Sequence, residues 1–341
     1  MRRLVWVLFA IGLASCGGKK AASGKPRVAV SIFPLYDVTK RIAGDRLDVV
    51  LVLPPGKSEH GYDPTPKEIA RLEGAKLGIA VGLDMDTWVE DIMKNAGGVP
   101  KMLRVGDKVQ TIPIDVEPIE PEHHPDHHEG ETPEEHAKHA HHEGETPEEH
   151  AKHADEDKEE HEDHDDHGHA AKGAPDPHVW LDPQRMVTIV DAIATELAAV
   201  DPAGKDAFTQ NADAVKKSLV DLDSKLTTRS KAWTKRTIVT FHGSMSYFAK
   251  RYNLVIAAVV EPIAGKEPTA TYLAEVIQAI RNNKAAALFT EPQLDRGPGE
   301  TIAKEAGVPL GELDPVGGTQ GRDSYETLMT WNADQLEKVL K

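Results

Sequence analysis

The chain has 341 residues, 56 acidic and 40 basic, for a formal net charge of −16. That acidity is confined to residues 117–169, which hold 21 acidic and three basic side chains, whereas the remainder, with 35 acidic and 37 basic, is close to neutral. No basic patch or basic helix face emerges, which excludes nucleic-acid binding, and a single cysteine excludes an internal disulfide.

Met1-Arg2-Arg3 followed by the apolar run 4–14 reads as a secretion signal, too short to span a membrane as a helix. Its end, Leu13-Ala14-Ser15-Cys16, resembles the lipobox of bacterial lipoproteins, in which residues 1–15 are removed and Cys16 carries the lipid. A lipid anchor holds a soluble body against a membrane without crossing it, so the expected location is the periplasm or the cell surface. Residues 16–25 then form a small, polar tether.

Residues 26–32 predict a buried strand, with a helix following through Ile42. Residues 47–53 predict a second strand, ended by the turn Pro54-Pro55-Gly56. Thr65-Pro66-Lys67-Glu68 opens a helix with a capping threonine and a proline in the first turn. A short strand at 77–81 and a helix at 88–95 follow. Alternation of this kind implies a parallel sheet with helices on its faces.

Residues 117–173 break the rhythm, because a segment with almost no large apolar side chains cannot bury enough surface to offset chain entropy. Within it, the fourteen residues from His127 to Ala140 recur identically from His141 to Ala154. Two copies without an apolar stripe do not make a solenoid, so the expectation is a disordered insertion.

Beyond Asp176, residues 186–200 predict an amphipathic helix, and residues 203–226 a longer one whose apolar positions Ala207, Phe208, Ala212, Val215, Leu219, Leu222 and Leu226 follow helical spacing. A strand at 237–241, a helix from Tyr247, a strand at 254–260, a helix at 271–282, a strand at 286–290 and a helix at 323–340 complete the chain. The predicted fold is α/β: two βα lobes with parallel sheets, an N-terminal lobe over 26–204 and a C-terminal lobe over 229–341, joined by a long helix at 205–228.

Metal binding follows from the histidines, since neutral imidazole is the commonest protein metal ligand. Of 17 histidines, 14 lie in the insertion: His123, His124, His127, His128, His136, His139, His141, His142, His150, His153, His161, His164, His167 and His169. These are expected to form weak accessory metal sites. The other three, His60, His178 and His242, stand alone at turns or strand ends, where open α/β sheets bind ligands.

Around these three the sequence resembles the ZnuA-like zinc-binding receptors of ABC transporters. The resemblance rests on Pro55-Gly56-Lys57-Ser58-Glu59-His60-Gly61-Tyr62, Asp176-Pro177-His178-Val179-Trp180-Leu181-Asp182-Pro183 and Thr240-Phe241-His242-Gly243-Ser244-Met245-Ser246-Tyr247-Phe248. Phe289-Thr290-Glu291-Pro292-Gln293 and Glu312-Leu313-Asp314-Pro315-Val316-Gly317 extend it, as does the charged, histidine-rich insertion before the second ligand. It implies that the connecting helix is rigid, with a metal site in the cleft between the lobes, and a monomeric, non-enzymatic extracytoplasmic receptor that captures Zn2+ and delivers it to an ABC permease with its ATPase. It also implies His60, His178 and His242 as ligands, with Asp314 as the fourth and Glu59 or water as alternatives. Asp176, Asp182 and Glu291 are expected to orient imidazoles or cap helices, and Trp180 and Phe241 to pack around the cleft. Alternative readings are a histidine-rich metal buffer or adhesin, a manganese-binding receptor of the same family, and a zinc enzyme with three histidines and an open water position; no HExxH helix or nucleophile triad supports the last.

Overall fold

The computed structural model describes residues 24–96, 101–114, 173–262 and 268–341. Strands β1 (Arg27–Val30), β2 (Asp48–Leu51), β3 (Ala75–Ala80) and β4 (Lys101–Arg104) form one parallel sheet in the order β2-β1-β3-β4. Strands β5 (Thr237–His242), β6 (Val255–Glu261), β7 (Leu288–Thr290) and β8 (Leu310–Glu312) repeat the arrangement as β6-β5-β7-β8, again all parallel. The predicted two-lobe α/β architecture is therefore the observed one. In each sheet the strand order reverses beside the central first strand, between β1 and β3 and between β5 and β7.

Local chemistry accounts for the elements. The central strands are covered on both faces and read as near-continuous apolar runs, with Val28, Ala29 and Val30 in β1 and Ile238, Val239 and Phe241 in β5 all buried. Helix α1 (Phe33–Ala43) has proline in its first turn and stops at Gly44, whose φ of +55° suits a residue without Cβ. Helix α2 (Pro66–Ala70) begins at the expected threonine and proline, with Thr65 also in a capping box in which Glu68 Oε2 accepts from the Thr65 N–H at 2.8 Å, but it runs for only five residues. Helix α3 (Trp88–Asn95) has the predicted span. Helix α4 (Pro183–Val200) starts one turn earlier than predicted, because Asp182 caps it by accepting from the Gln184 N–H at 2.9 Å.

Helix α5 (Lys205–Ser230) has 26 residues and is about 39 Å long at 1.5 Å per residue. Its buried stripe contains six of the seven apolar positions expected from spacing, while Ala207, beside Phe208 but turned off the stripe, is exposed; the helix packs along α4 and α1. Helices α6 (Ser246–Tyr252), α7 (Ala270–Asn282), α8 (Gly297–Ala306) and α9 (Tyr325–Leu340) complete the second half. Strands β4 and β8 and helix α8 have no counterpart among the predicted elements. β8 is Leu-Gly-Glu on a sheet edge and only half buried, so it carries no apolar run to read.

One apolar core continues through both lobes. Trp180, Tyr247 and Tyr325 sit in it fully covered. There the Trp180 indole N–H donates to the Pro315 carbonyl at 2.8 Å, and the Tyr325 hydroxyl donates to the Trp180 carbonyl at 2.7 Å.

The insertion predicted at 117–173 lies outside the described residues except for Gly173, but the chain on either side of it is described. Pro113 bridges Pro175 in antiparallel fashion, the Ile114 N–H donates to Ala174 O at 2.8 Å, and the Gly173 N–H donates to Ile114 O at 2.9 Å. The Asp176 N–H closes this collar on Ile112 O at 2.8 Å. Cys16 and the signal also lie outside the described residues. Among the described residues no helix is long and apolar enough to cross a membrane.

Candidate metal centre

Each isolated histidine is placed by the end of an element. His60 follows β2 on a turn through Gly56, whose φ is +81°. His178 precedes the 3-10 turn Val179–Leu181, and His242 is the last residue of β5. Glu291 comes directly after β7, so His242 and Glu291 flank the point where the second sheet's strand order reverses, the position at which open α/β sheets bind ligands.

The three imidazoles meet. Ring centroids lie 5.2 Å apart for His60 and His178, 4.6 Å for His60 and His242, and 4.9 Å for His178 and His242. His60 Nε2 and His178 Nε2 are 3.1 Å apart, near the separation of about 3.3 Å for two nitrogens on one tetrahedral zinc. Glu59 joins them: one ligand atom from each of Glu59, His60, His178 and His242 lies within 4.8 Å of all the others. Glu59 is 1 % exposed, and its Oε1 has no hydrogen-bond partner among the described residues. A buried carboxylate oxygen left unpaired is costly, and a cation among three imidazoles is the chemistry that satisfies it.

Carboxylates hold two of the rings from behind. Asp176 Oδ1 accepts from the His178 backbone N–H at 2.9 Å and faces its Nδ1 at 2.8 Å. Glu291 faces His242 Nδ1 at 3.1 and 3.2 Å, and the Ser244 hydroxyl donates to Glu291 at 2.8 Å. Each pairing assigns the proton to Nδ1 and leaves Nε2 for a metal. Asp182 instead caps α4 and pairs with Arg185. The Trp180 ring packs 5.2 Å from that of His178, and Phe241 is buried, as expected of packing residues.

The electrostatics are uneven. Burial, with the charges of His242 and His178 adding to it, drives His60 well below the usual histidine range. Burial also disfavours the cationic form of His242, but the charge and hydrogen bond of Glu291, with Glu59 and Asp176 beyond, reverse that and push it up to about 9. Glu59 is raised above the usual carboxylate range, chiefly by burial.

Asp314 is not brought into this group of four. It is fully buried, and its Oδ1 accepts from Gln293 Nε2 at 2.8 Å and from the N–H groups of Val316 and Gly317 at 3.0 and 2.9 Å. Its Oδ2 forms an ion pair with Arg322 Nη1 at 3.1 Å but, like Glu59 Oε1, accepts no hydrogen bond among the described residues, and that guanidinium stacks over Trp331. The fourteen histidines of the insertion are outside the described residues. Sequence reasoning assigned no role to Ser244, Tyr247 or Trp88, whose indole N–H donates to the Glu59 carbonyl at 3.2 Å. The first two lie within the quoted third motif, but nothing in residue type announces their partners.

The profile of the family described as ZnuA, "Zinc-uptake complex component A periplasmic", matches residues 28–339. Zinc-binding lipoprotein AdcA of Streptococcus pneumoniae (strain ATCC BAA-255 / R6) is 28% identical over 343 residues, covering 97% of this chain but 59% of AdcA, so the chain spans about three fifths of that relative. Metal ABC transporter substrate-binding lipoprotein FimA of Streptococcus parasanguinis is 27% identical over 98% of this chain and 96% of its own length. Iron ABC transporter substrate-binding lipoprotein MtsA of Streptococcus pyogenes serotype M1 is 26% identical over 98% and 95%. Among solved structures, a crystal structure of ZnuA aligns with a TM-score of 0.70 at 23% identity, over 93% of this chain and 100% of that one. FpvC from Pseudomonas aeruginosa in complex with Mn2+ gives 0.70 at 24%, over 93% and 98%.

Proposed function

Because the chain belongs to the ZnuA family, the substrate-binding receptors of metal ABC transporters, we propose that it captures Zn2+ outside the cytoplasmic membrane and hands it to an ABC permease with its ATPase. The observation that carries this reading is the convergence of three imidazoles and one unpaired buried carboxylate within 4.8 Å. The sequence relatives include lipoproteins named for zinc and for iron, and a protein sharing the fold is solved in complex with Mn2+, so the donor set decides. Three nitrogen donors suit zinc, whereas manganese prefers an oxygen-rich site. Copper binds such donors tightly as well, and its exclusion rests on geometry and supply. His60, His178 and His242 are the ligands in this reading. Glu59 is the fourth in this reading, because it stands in the group of four with the histidines, whereas Asp314 lies outside that group, paired with Arg322 and accepting from Gln293 and two backbone N–H groups.

The receptor acts as a monomer, tethered by lipid on Cys16 at the periplasmic or outer face of a membrane. Residues 26–204 and 229–341 serve as its lobes. The insertion's histidines gather ions weakly beside the tight site. The test is competitive zinc titration of the chain from Gly17, with and without residues 117–173, with manganese as control. One tight zinc site that survives the deletion supports the reading. Loss of tight binding with the segment would make the chain a histidine-rich buffer on a receptor scaffold.

A further inference from the structure

We infer that the Tyr247 hydroxyl is a positioning group for the metal site, fixing His178 of the first lobe against His242 of the second. The inference rests on the cleft reading above. Tyr247 lies on α6, directly after the β5 end that carries His242, yet its side chain reaches into the other lobe. Its hydroxyl accepts from the Ile112 N–H at 3.1 Å and donates to the Asp176 carbonyl at 2.7 Å. Ile112 and Asp176 are themselves joined, N–H of the latter to carbonyl of the former, at 2.8 Å. The three groups close a ring of hydrogen bonds at the collar.

Asp176 is also the residue whose carboxylate grips His178 at both its backbone N–H and its Nδ1. Any shift of the Asp176 backbone therefore swings the His178 imidazole relative to His242. One phenol, belonging to the His242 element, sets that backbone. A hydroxyl has one proton to give, and here it is given to Asp176 while a lone pair takes Ile112. The ring is 1 % exposed and the Arg185 guanidinium covers its face at 4.7 Å, so the phenol has no freedom to swing away. The arrangement is the outer layer of metal-site support, one step behind the carboxylate that touches the ligand.

The test uses the full chain in three variants, loaded with one equivalent of Co2+ and read by visible absorption, with competitive zinc titration alongside. Y247F removes only the hydroxyl. Y252F is the control: it removes a hydroxyl from the same helix, one that contacts Asp223 at 3.2 Å. The expected result is that Y247F shifts or splits the cobalt bands and weakens zinc binding by about tenfold, the smaller end of the cost of losing an outer-layer partner, while Y252F leaves both unchanged. Cobalt bands and zinc affinity in Y247F that match the parent overturn the inference, as does an equal change in Y252F. H242A separates this from the cleft reading: if it retains the parent's cobalt spectrum, the cleft is not the site and the inference falls with it. Should Y247F fail to fold, 3-fluorotyrosine at position 247 keeps the hydroxyl but alters its hydrogen bonding, and a moved cobalt band supports the inference where an unmoved one overturns it.

Discussion

Two imidazole nitrogens 3.1 Å apart present lone pairs to each other unless a proton or a cation joins them. In the metal-free protein the proton inventory favours His242, pushed up to about 9, over His60, driven down by burial. An imidazole held up in this way carries a proton on Nε2 that zinc must displace before ligation, while the Nδ1 proton stays with Glu291. The expected sign follows: zinc binding should strengthen as pH rises toward about 9 and flatten above it, by about tenfold per pH unit for one proton. Calorimetry at pH 7 in buffers of different ionisation enthalpy should return about one proton released per zinc, and a value near zero would contradict the assignment. Glu59→Gln should weaken zinc binding by about tenfold or more, at least about 1.4 kcal/mol. Asp314→Asn should leave the affinity nearly unchanged but lower stability by about 2 kcal/mol, because Arg322 loses its nearer carboxylate and keeps only Glu312 at 3.6 Å. Competitive titration and thermal melts check the pair, and the reverse pattern would reinstate Asp314 as ligand. His60, His178 and His242 were legible in the sequence because nothing else competed for attention outside the insertion. The proposed preference for Glu59 over Asp314 was not, since it rests on which carboxylate stands beside the three imidazoles and on the reach of Arg322 and Gln293 toward Asp314, a property of folded loops.

Elements with strong local signals were legible: α3 has its predicted ends, and the α5 stripe its predicted positions apart from the exposed Ala207. β4, β8 and α8 were not. Edge strands bury only one flank, and a helix opening Gly-Pro-Gly is made by what it packs on more than by its own propensity. The end of α5 is fastened to α9 by Glu337, which accepts from Arg229 at 2.9 Å and also from Lys341 at 2.7 Å. The Arg229 hydrogen bond is the chief cause holding the Glu337 carboxyl down to about 2. A depressed carboxylate stabilises the fold fully above its unfolded value of about 4.5 and loses that contribution as pH falls through about 2. Glu337→Gln should therefore cost about 1 kcal/mol at neutral pH, as expected for a partly exposed charged hydrogen bond. It should also flatten the acid limb of a stability-versus-pH curve measured by denaturant melts.

At the scale of the whole molecule, the continuous core through both lobes means that metal bound between them stabilises one packed body. Zinc at a hundredfold excess over the dissociation constant should stabilise the chain by about 2.7 kcal/mol. Differential scanning calorimetry should find that shift intact after deletion of residues 117–173 and absent in His242→Ala. The collar formed by residues 112–114 and 173–176 bears on how such a chain can change over generations. Its two sides are clasped together, so the distance between the ends of whatever lies between them is fixed by the collar and not by the length of the segment. Closing a longer loop costs only about 0.6 kcal/mol per doubling of length. Gain or loss of a copy of the 14-residue repeat, His127 to Ala140 and again His141 to Ala154, is therefore nearly silent to the fold. Lineages can retune the number of histidines by replication slippage alone, with no compensating change at His60, His178 or His242.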